Sequence, residues 1–226
     1  MKNTIALLIN TFILVALMAS LAACNLPKEK VYKIEDGNKG WLYDGDVGSG
    51  IIMADNNGIS ESFLLYSSDH EFSEGASGYF FVTTEVSKRE SFHQAFSSTY
   101  SHRFSLSLSA NYPPFGDELY VNLDGITFAY DLKYNEISRL DTPFGYKSKT
   151  MTDEGYSGYI IIESTVEMLN HLELNGFTYD EVLKFTINDF PENWTNFTIR
   201  EIFIAREHGL VKYVMNNGIE VLRSMN

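Results

Sequence analysis

The chain has 226 residues, one cysteine and a formal charge of −13, with 30 acidic against 17 basic side chains. That balance argues against a nucleic-acid partner and against binding to anionic membrane surfaces by charge, because both draw on an excess of positive charge. A single cysteine excludes an intrachain disulfide and a metal centre built on several thiolates.

Met1-Lys2-Asn3 carries one positive charge, and residues 5–23 carry none. This run approaches the ~20 apolar residues that a membrane-spanning helix needs, but Asn10, Thr11 and Ser20 interrupt it. A positive start, an apolar core and small residues ahead of Cys24 describe an export signal instead. The phrase Leu21-Ala22-Ala23-Cys24 resembles the bacterial lipobox. That resemblance implies cleavage between Ala23 and Cys24, a diacylglyceryl group on the Cys24 sulfur and acylation of the new amino group. Acyl chains contribute ~0.8 kcal/mol per buried CH₂, so two or three of them hold a domain firmly. The expected organisation is a signal peptide over 1–23, a lipidated tether over 24–30 and a single β-rich domain over 31–226. Loss of the leader with its Lys2 takes the charge from −13 to −14. Asn25 stands where enterobacterial inner-membrane lipoproteins carry Asp, which points to the outer membrane.

Beyond the tether the apolar period is mostly two. The first strand is expected over 31–35. Gly50-Ile-Ile-Met-Ala54 and Glu61-Ser-Phe-Leu-Leu-Tyr66 flank Asp55-Asn-Asn-Gly58, and Asn-Gly between two apolar runs is a hairpin signal because the turn favours positive φ. Further strands are expected over 79–86, 118–123, 126–131, 156–163 and 199–206. Phe104, Leu106, Leu108 and Ala110 alternate with Ser105, Ser107 and Ser109, the pattern of a half-buried strand with a serine face. Asn175-Gly176 and Asn217-Gly218 predict two more hairpins. Two stretches read as short helices: Arg89 to Phe96, with Phe92 and Phe96 four apart, and Ser164-Thr-Val-Glu167 leading into Met168, a capping-box spacing. Residues 147–155 are the weakest point of the pattern, where two sheets would separate. The fold class is all-β, or mainly β with one or two short helices: an antiparallel meander forming a curved sheet or a sandwich. Tyrosine and phenylalanine number 14 and 16, as core residues and cross-strand pairs or in part as a sugar- or lipid-binding face.

Two phrases near the C-terminus carry a family resemblance. Leu174-Asn-Gly-Phe-Thr-Tyr-Asp-Glu-Val-Leu-Lys184 has a hydrophobic-Asn-Gly turn ahead of Tyr-x-x-Val. Ile202-Phe-Ile-Ala-Arg-Glu-His-Gly-Leu-Val-Lys-Tyr213 has an aromatic-hydrophobic-Ala strand, a turn and Gly-Leu-Val-Lys-Tyr. Together with the lipobox they resemble uncharacterised Bacteroidetes-type lipoproteins. The resemblance implies an exported β-rich lipoprotein and supplies no catalytic residue. The same phrase also reads structurally: Gly209 gives a sharp strand entry, Val211 and Tyr213 face a core, and Lys212 faces solvent.

Catalytic patterns are faint. The histidines, His70, His93, His102, His171 and His208, include no pair four apart of the kind a zinc hydrolase uses; a hairpin could bring His93 and His102 together, but scattered surface histidines are the favoured reading. Asp44-Gly-Asp-Val-Gly-Ser-Gly50 lacks the lysine of a phosphate loop, and Gly48-Ser49-Gly50 lacks the frame of a serine nucleophile elbow. Asp55-Asn-Asn-Gly58 lacks the alternating acids of a calcium loop. Phe190-Pro-Glu-Asn-Trp-Thr-Asn-Phe197 is an aromatic loop whose Trp194 and Phe197 either cap the core or form a contact face. No cofactor and no metal are expected.

These readings give a lipid-anchored protein of the bacterial cell envelope with a non-catalytic binding or structural role. Its partners are the membrane through its anchor and a hydrophobic ligand, a glycan or an envelope protein. The rival expectation is a carboxylate-dependent envelope hydrolase. Replacing Cys24 by Ala is predicted to move the protein from the membrane fraction to the soluble fraction of lysed cells; an unchanged membrane fraction would refute the lipobox reading.

Overall fold

The computed structural model describes residues 28–79, 82–142, 145–148, 163–188 and 199–224. Ala23, Cys24, Trp194, Phe197 and most of the strand expected over 156–163 lie outside these residues. The chain is nearly all β, with 69% of it in strands and, among the described residues, no helix of seven or more.

There are two compact units. The small one comprises β1 (Lys28–Tyr32) and the stretch Phe72–Arg89, which takes in the far part of β3 (Ser60–Tyr79) and the first part of β4 (Val82–Ser98). Here β1 pairs in parallel with β4, from Lys28 opposite Glu85 to Tyr32 opposite Arg89. The strand thus begins at Lys28, inside the stretch expected to be a free tether, because main-chain pairing with β4 compensates its polar side chains. Lys88 bonds Glu29 at 2.9 Å and Glu74 at 3.5 Å within this unit.

The large unit runs from Lys33 to Glu71 and from Glu90 onward. Its strands are β2 (Gly50–Asp55), the first part of β3, the second part of β4, β5 (Arg103–Ser109), β6 (Glu118–Leu123), β7 (Ile126–Asp131), β8 (Glu136–Thr142), β9 (Gly145–Ser148), β10 (Ser164–Leu174), β11 (Phe177–Ile187), β12 (Ile199–Ala205), β13 (Gly209–Met215) and β14 (Glu220–Arg223). They form one antiparallel sheet of 13 strands, nearly closed into a barrel, in the order β10-β11-β12-β13-β14-β2-β3-β4-β5-β6-β7-β8-β9. Two meanders, β2–β9 and β10–β14, join where β14 pairs with β2 through Val221–Asp55, Leu222–Ala54 and Arg223–Met53. The strands on either side of the expected weak point, β9 and β10, thus belong to one sheet, while residues 149–155 lie outside the described residues. The curved-sheet alternative is the one observed.

Both expected helices are strands. Arg89 to Phe96 belongs to β4, and Phe96 is buried opposite Phe104 while Gln94 is buried opposite Leu106. Ser164 to Leu172 belongs to β10, paired with β11 in a continuous register from Ser164–Ile187 to Leu174–Phe177. In each case main-chain pairing with a neighbouring strand outweighs a weak local helix preference. The three Asn-Gly hairpins form. At Asn175-Gly176 both residues have positive φ, 51° and 78°, the two-residue turn that fits strand twist. At Asn57-Gly58 and Asn217-Gly218 only the glycine does, and the longer loops close through Asp55 N–H to the Ile59 carbonyl and Met215 N–H to the Ile219 carbonyl.

Curvature lets the interior fill with side chains. Phe104, Leu106 and Leu108 point inward and are at most 1% exposed, with serines outward between them. Phe63 and Phe96 meet Phe104 at ring-centroid distances of 6.3 and 5.0 Å. Phe185 of β11 reaches Phe128 and Tyr130 of β7 at 4.9 and 5.8 Å, although β7 and β11 are far apart in the sheet. This contact holds the sheet rolled up. Strands β11–β13 are buried on both faces, since Val182, Phe203, Ala205 and Val211 form a second cluster with Leu174 and Tyr179.

The segment ahead of β2 packs into the large unit. Ile34 and Trp41 are buried. Ile34 N–H donates to the buried Glu90 carboxylate at 2.9 Å, Glu35 N–H donates to the buried Asp117 at 2.8 Å, and Gln94 exchanges two hydrogen bonds of 2.8 Å with the Tyr43 backbone. Buried acids here accept main-chain N–H groups, the compensation that burial demands. Gly209 has φ +67°, and a Cβ on it would come within 3.3 Å of the Tyr43 Cβ, so the expected sharp strand entry is present. Replacing Phe185 by Ala is predicted to cost about 3–5 kcal/mol, as truncating a fully buried aromatic does; chemical denaturation measures it, and a loss below about 1 kcal/mol would show that Phe185 does not hold the sheet rolled.

Candidate binding site

The outward face of β3 to β6 is polar in β5 and aromatic at its margin. Phe63 and Leu65 point inward on β3, which leaves Tyr66 outward and 60% exposed. On β4 to β6 the register sets rows across the strands: His93 opposite Ser107 and Tyr120, Ala95 opposite Ser105 and Asn122, and Ser97 opposite Arg103. The middle row has small residues at two of its three positions, so the surface sinks there. The result is a depression of about 460 Å³ lined by Tyr66, His93, Ala95, Ser97, Arg103, Ser105 and Asn122, with Phe96 and Phe104 beneath. His93 Nδ1 lies 2.6 Å from Ser107 Oγ, and Asn122 Nδ2 donates to Thr127 Oγ1, which fixes two of the polar groups. An aromatic ring beside fixed hydrogen-bonding groups suits a ligand with both a flat C–H face and hydroxyl groups.

A second depression, of about 330 Å³, lies where β8 approaches β10 and is lined by residues 135–139 and 164–166. Its polar groups come from a short edge of each strand.

Under the outer face, near the turns at 98–103 and 124–125, is a cluster of ionisable groups. Glu61 shares the inward phase of Phe63 and Leu65 and is only 6% exposed. Its Oε2 accepts from the Tyr213 hydroxyl at 3.1 Å, while Oε1 is buried without a hydrogen-bond partner. Burial, with the Glu61 charge beside it, pushes the Tyr213 phenol far above its ordinary value, so the hydroxyl stays protonated and donates. His102 Nδ1 pairs with Asp124 Oδ2 at 2.6 Å. Asp124 Oδ1 also accepts from Arg103 N–H at 2.9 Å. Asp124, with a smaller contribution from the Glu61 charge, raises the His102 pKa above its ordinary value against the effect of burial.

The sequence motifs resolve as follows. His93 and His102 are not brought together: one bonds Ser107 and the other pairs with Asp124. His70 stacks on Phe92 at 4.2 Å and bonds Glu90 at 3.0 Å. His208 packs edge-on against Tyr179 and Phe177, and burial lowers its pKa. His171 is exposed on β10 opposite Asp180. Among the described residues no group of three or more His, Cys, Asp or Glu is arranged to hold a metal ion. Lys212 is not a solvent-facing residue as expected: its side chain is 15% exposed, bonds Glu220 at 2.9 Å and lies over the Phe203 ring. Asp55 accepts from Asn57 and Ile59 N–H, the chemistry of a turn.

Sequence reasoning missed the depression and the Glu61 cluster. The serine face of β5 was visible, but the row Ala95–Ser105–Asn122 depends on register. Glu61 had a signal, since it alternates in phase with Phe63 and Leu65 and so marks a charge on a buried face. Comparison with known proteins finds no matching family model, no matching curated protein and no matching solved structure.

A group whose folded pKa is raised contributes stability that is complete below its unfolded pKa, about 6.5 for histidine, and that fades as pH rises through the folded value. Replacing Asp124 by Asn, which keeps the acceptor for Arg103 N–H, is therefore predicted to lower the melting temperature clearly at pH 5.5 and progressively less toward pH 9. A difference that stays constant with pH would show that His102 is not charged by Asp124.

Proposed function

We propose that this protein is a lipid-anchored, non-catalytic binding protein of the bacterial cell envelope, and that its ligand is a glycan held on the outward face of β3 to β6. The leader and Cys24 support the anchor, as does the resemblance to Bacteroidetes-type lipoproteins, with an outer-membrane location. The depression beside Tyr66 is the observation that carries the ligand class. Tyr66 offers an exposed ring for the C–H face of a sugar, and Ser97, Ser105, Asn122 and His93 offer donors and acceptors at its side. Arg103 adds a guanidinium that favours an acidic sugar, for which carboxylate geometry is well matched.

The geometry supports a glycan better than a hydrophobic ligand. The concave side of the sheet is occupied by its own packed rings, Phe63, Phe96, Phe104, Phe128, Tyr130 and Phe185, all at most 1% exposed. It also supports a glycan better than a protein partner, because a depression of about 460 Å³ has the size of a small-ligand site.

The test is calorimetric titration of the soluble domain, residues 25–226, with uronic-acid and neutral oligosaccharides. Binding of an acidic oligosaccharide is expected, weakened about tenfold, or ~1.4 kcal/mol, by Tyr66→Ala. Absence of binding, or binding indifferent to both Tyr66→Ala and Asn122→Ala, would overturn the site. Cleavage of the oligosaccharide during the titration would favour the hydrolase instead.

A further inference from the structure

The cation that lines the depression, Arg103, stands directly across the strands from an acid it does not pair with. Arg103 N–H donates to Asp124 Oδ1 at 2.9 Å, and Asp124 N–H donates to the Arg103 carbonyl at 2.9 Å. The two residues continue the β5–β6 register in which Phe104 opposes Leu123 and Ser105 opposes Asn122. Residues directly opposite on antiparallel strands have Cβ atoms ~4.5–5.5 Å apart, and opposite charges there attract. An arginine and an aspartate so placed are expected to form a side-chain pair. Here the second carboxylate oxygen of Asp124 is taken by His102 Nδ1 at 2.6 Å. Among the described residues the Arg103 guanidinium has no acid partner, and it lines the recess beside Ser97, Ser105 and Asn122.

The groups around His102 account for that choice. Glu61 comes from β3, is only 6% exposed, and has one oxygen without a hydrogen-bond partner. Asp124 comes from the β6–β7 turn. Tyr213 comes from β13; its hydroxyl donates to Glu61 at 3.1 Å and carries no charge. Asp55, at the end of β2, adds a negative charge on the same side. Arg103 is the next residue in the chain. Acids thus surround the imidazole, and Asp124 first, then Glu61, favour its charged form against the cost of burial. Histidine is the side chain whose charge changes near neutral pH. When that charge goes, Asp124 loses its cation while Glu61 and Asp55 remain. The replacement nearest to hand is Arg103, whose guanidinium suits a carboxylate.

We propose that His102 switches the depression: charged, it occupies Asp124 and leaves Arg103 to an acidic ligand; neutral, it releases Asp124 to Arg103, and the ligand loses its cation. The proposal rests on the reading of the depression as a site for an acidic glycan. Its sign follows from the exchange. Affinity is full while His102 is protonated and falls as pH rises through the His102 value, which lies above that of an ordinary histidine. Linkage makes the effect reciprocal, so bound ligand holds the proton on His102 more tightly.

The probe is tetragalacturonate, whose carboxylates stay ionised throughout the range used. It is titrated calorimetrically into the full chain, expressed with its leader and purified in detergent. Between pH 5.5 and pH 9 the affinity is expected to fall about tenfold, within the usual range of coupling between two sites. Two variants are expected to diverge. Asp124→Asn keeps an acceptor for Arg103 N–H but cannot capture the guanidinium, so it binds tightly at both pH values. His102→Gln leaves Asp124 to Arg103 and binds weakly at both. A purely structural role for the cluster would weaken both variants alike; that result, or a wild-type affinity indifferent to pH, would overturn the switch. A second readout needs no ligand. In protein carrying isotope-labelled arginine, the Arg103 Cζ signal, assigned with Arg103→Lys, is expected to move with the His102 titration and to stay at its high-pH position in His102→Gln. An immobile signal would overturn the switch whatever the calorimetry gives. A moving signal without binding at either pH would uphold the exchange at Asp124 and overturn the glycan reading, so the two failures are distinct.

Discussion

The structure of the large unit depends on a short piece of main-chain pairing far apart in sequence. Three residue pairs between β14 and β2 join the C-terminal meander to the N-terminal one. Each meander is built from neighbouring antiparallel strands and could form locally, but each alone would leave one face of apolar side chains in water. Joined through β14 and β2, the sheet is wide enough to roll up, and Phe185 then packs against Phe128 and Tyr130 from the other side. The burial of the interior and the outward polar face follow from that closure, because period-two alternation has a defined inside only once the sheet is curved.

The local elements were legible and the long-range ones were not. Alternation of Phe104, Leu106 and Leu108 with serines located β5 and its buried face, and the Asn-Gly dipeptides located three hairpins, because both signals depend on residues adjacent in the chain. The pairing of β14 with β2 left no mark, since any strand edge offers the same N–H and C=O groups. The 89–96 and 164–172 stretches misled for a related reason: a spacing of four between two phenylalanines, or a capping-box tetrad, is satisfied by chance inside a strand. The break expected over 147–155 falls mostly outside the described residues, but the strands flanking it, β9 and β10, belong to one sheet. Of the site, the polar face of β5 was readable, but the depression requires Ala95, Ser105 and Asn122 to fall in one row, which register alone decides.

Burial also separates structural from available chemistry. Glu90, Asp117 and Asp131 are acids buried in the large unit, and each accepts main-chain N–H groups. His70 and His208 are held by neighbouring rings. These groups are committed to the fold. Tyr66 is largely exposed, and the hydroxyls and amides beside it line a recess. The Glu61–Tyr213 pair stands between these cases, a carboxylate brought into the interior with one oxygen satisfied and the other not. Such a group costs stability unless it is compensated; the nearby His102, whose pKa Asp124 raises, makes that region of the large unit sensitive to pH.

A ligand on the outward face, rather than inside the rolled sheet, is the central functional claim. The most direct measurement is an amide and side-chain NMR titration of residues 25–226 with a uronic-acid oligosaccharide. Perturbations confined to outward residues of β3 to β6, centred on Tyr66, Ser105 and Asn122, are what the account predicts. Perturbations spread through inward residues such as Phe63, Leu106 and Phe185, or gathered where β8 approaches β10, would contradict it and place the ligand elsewhere in the protein.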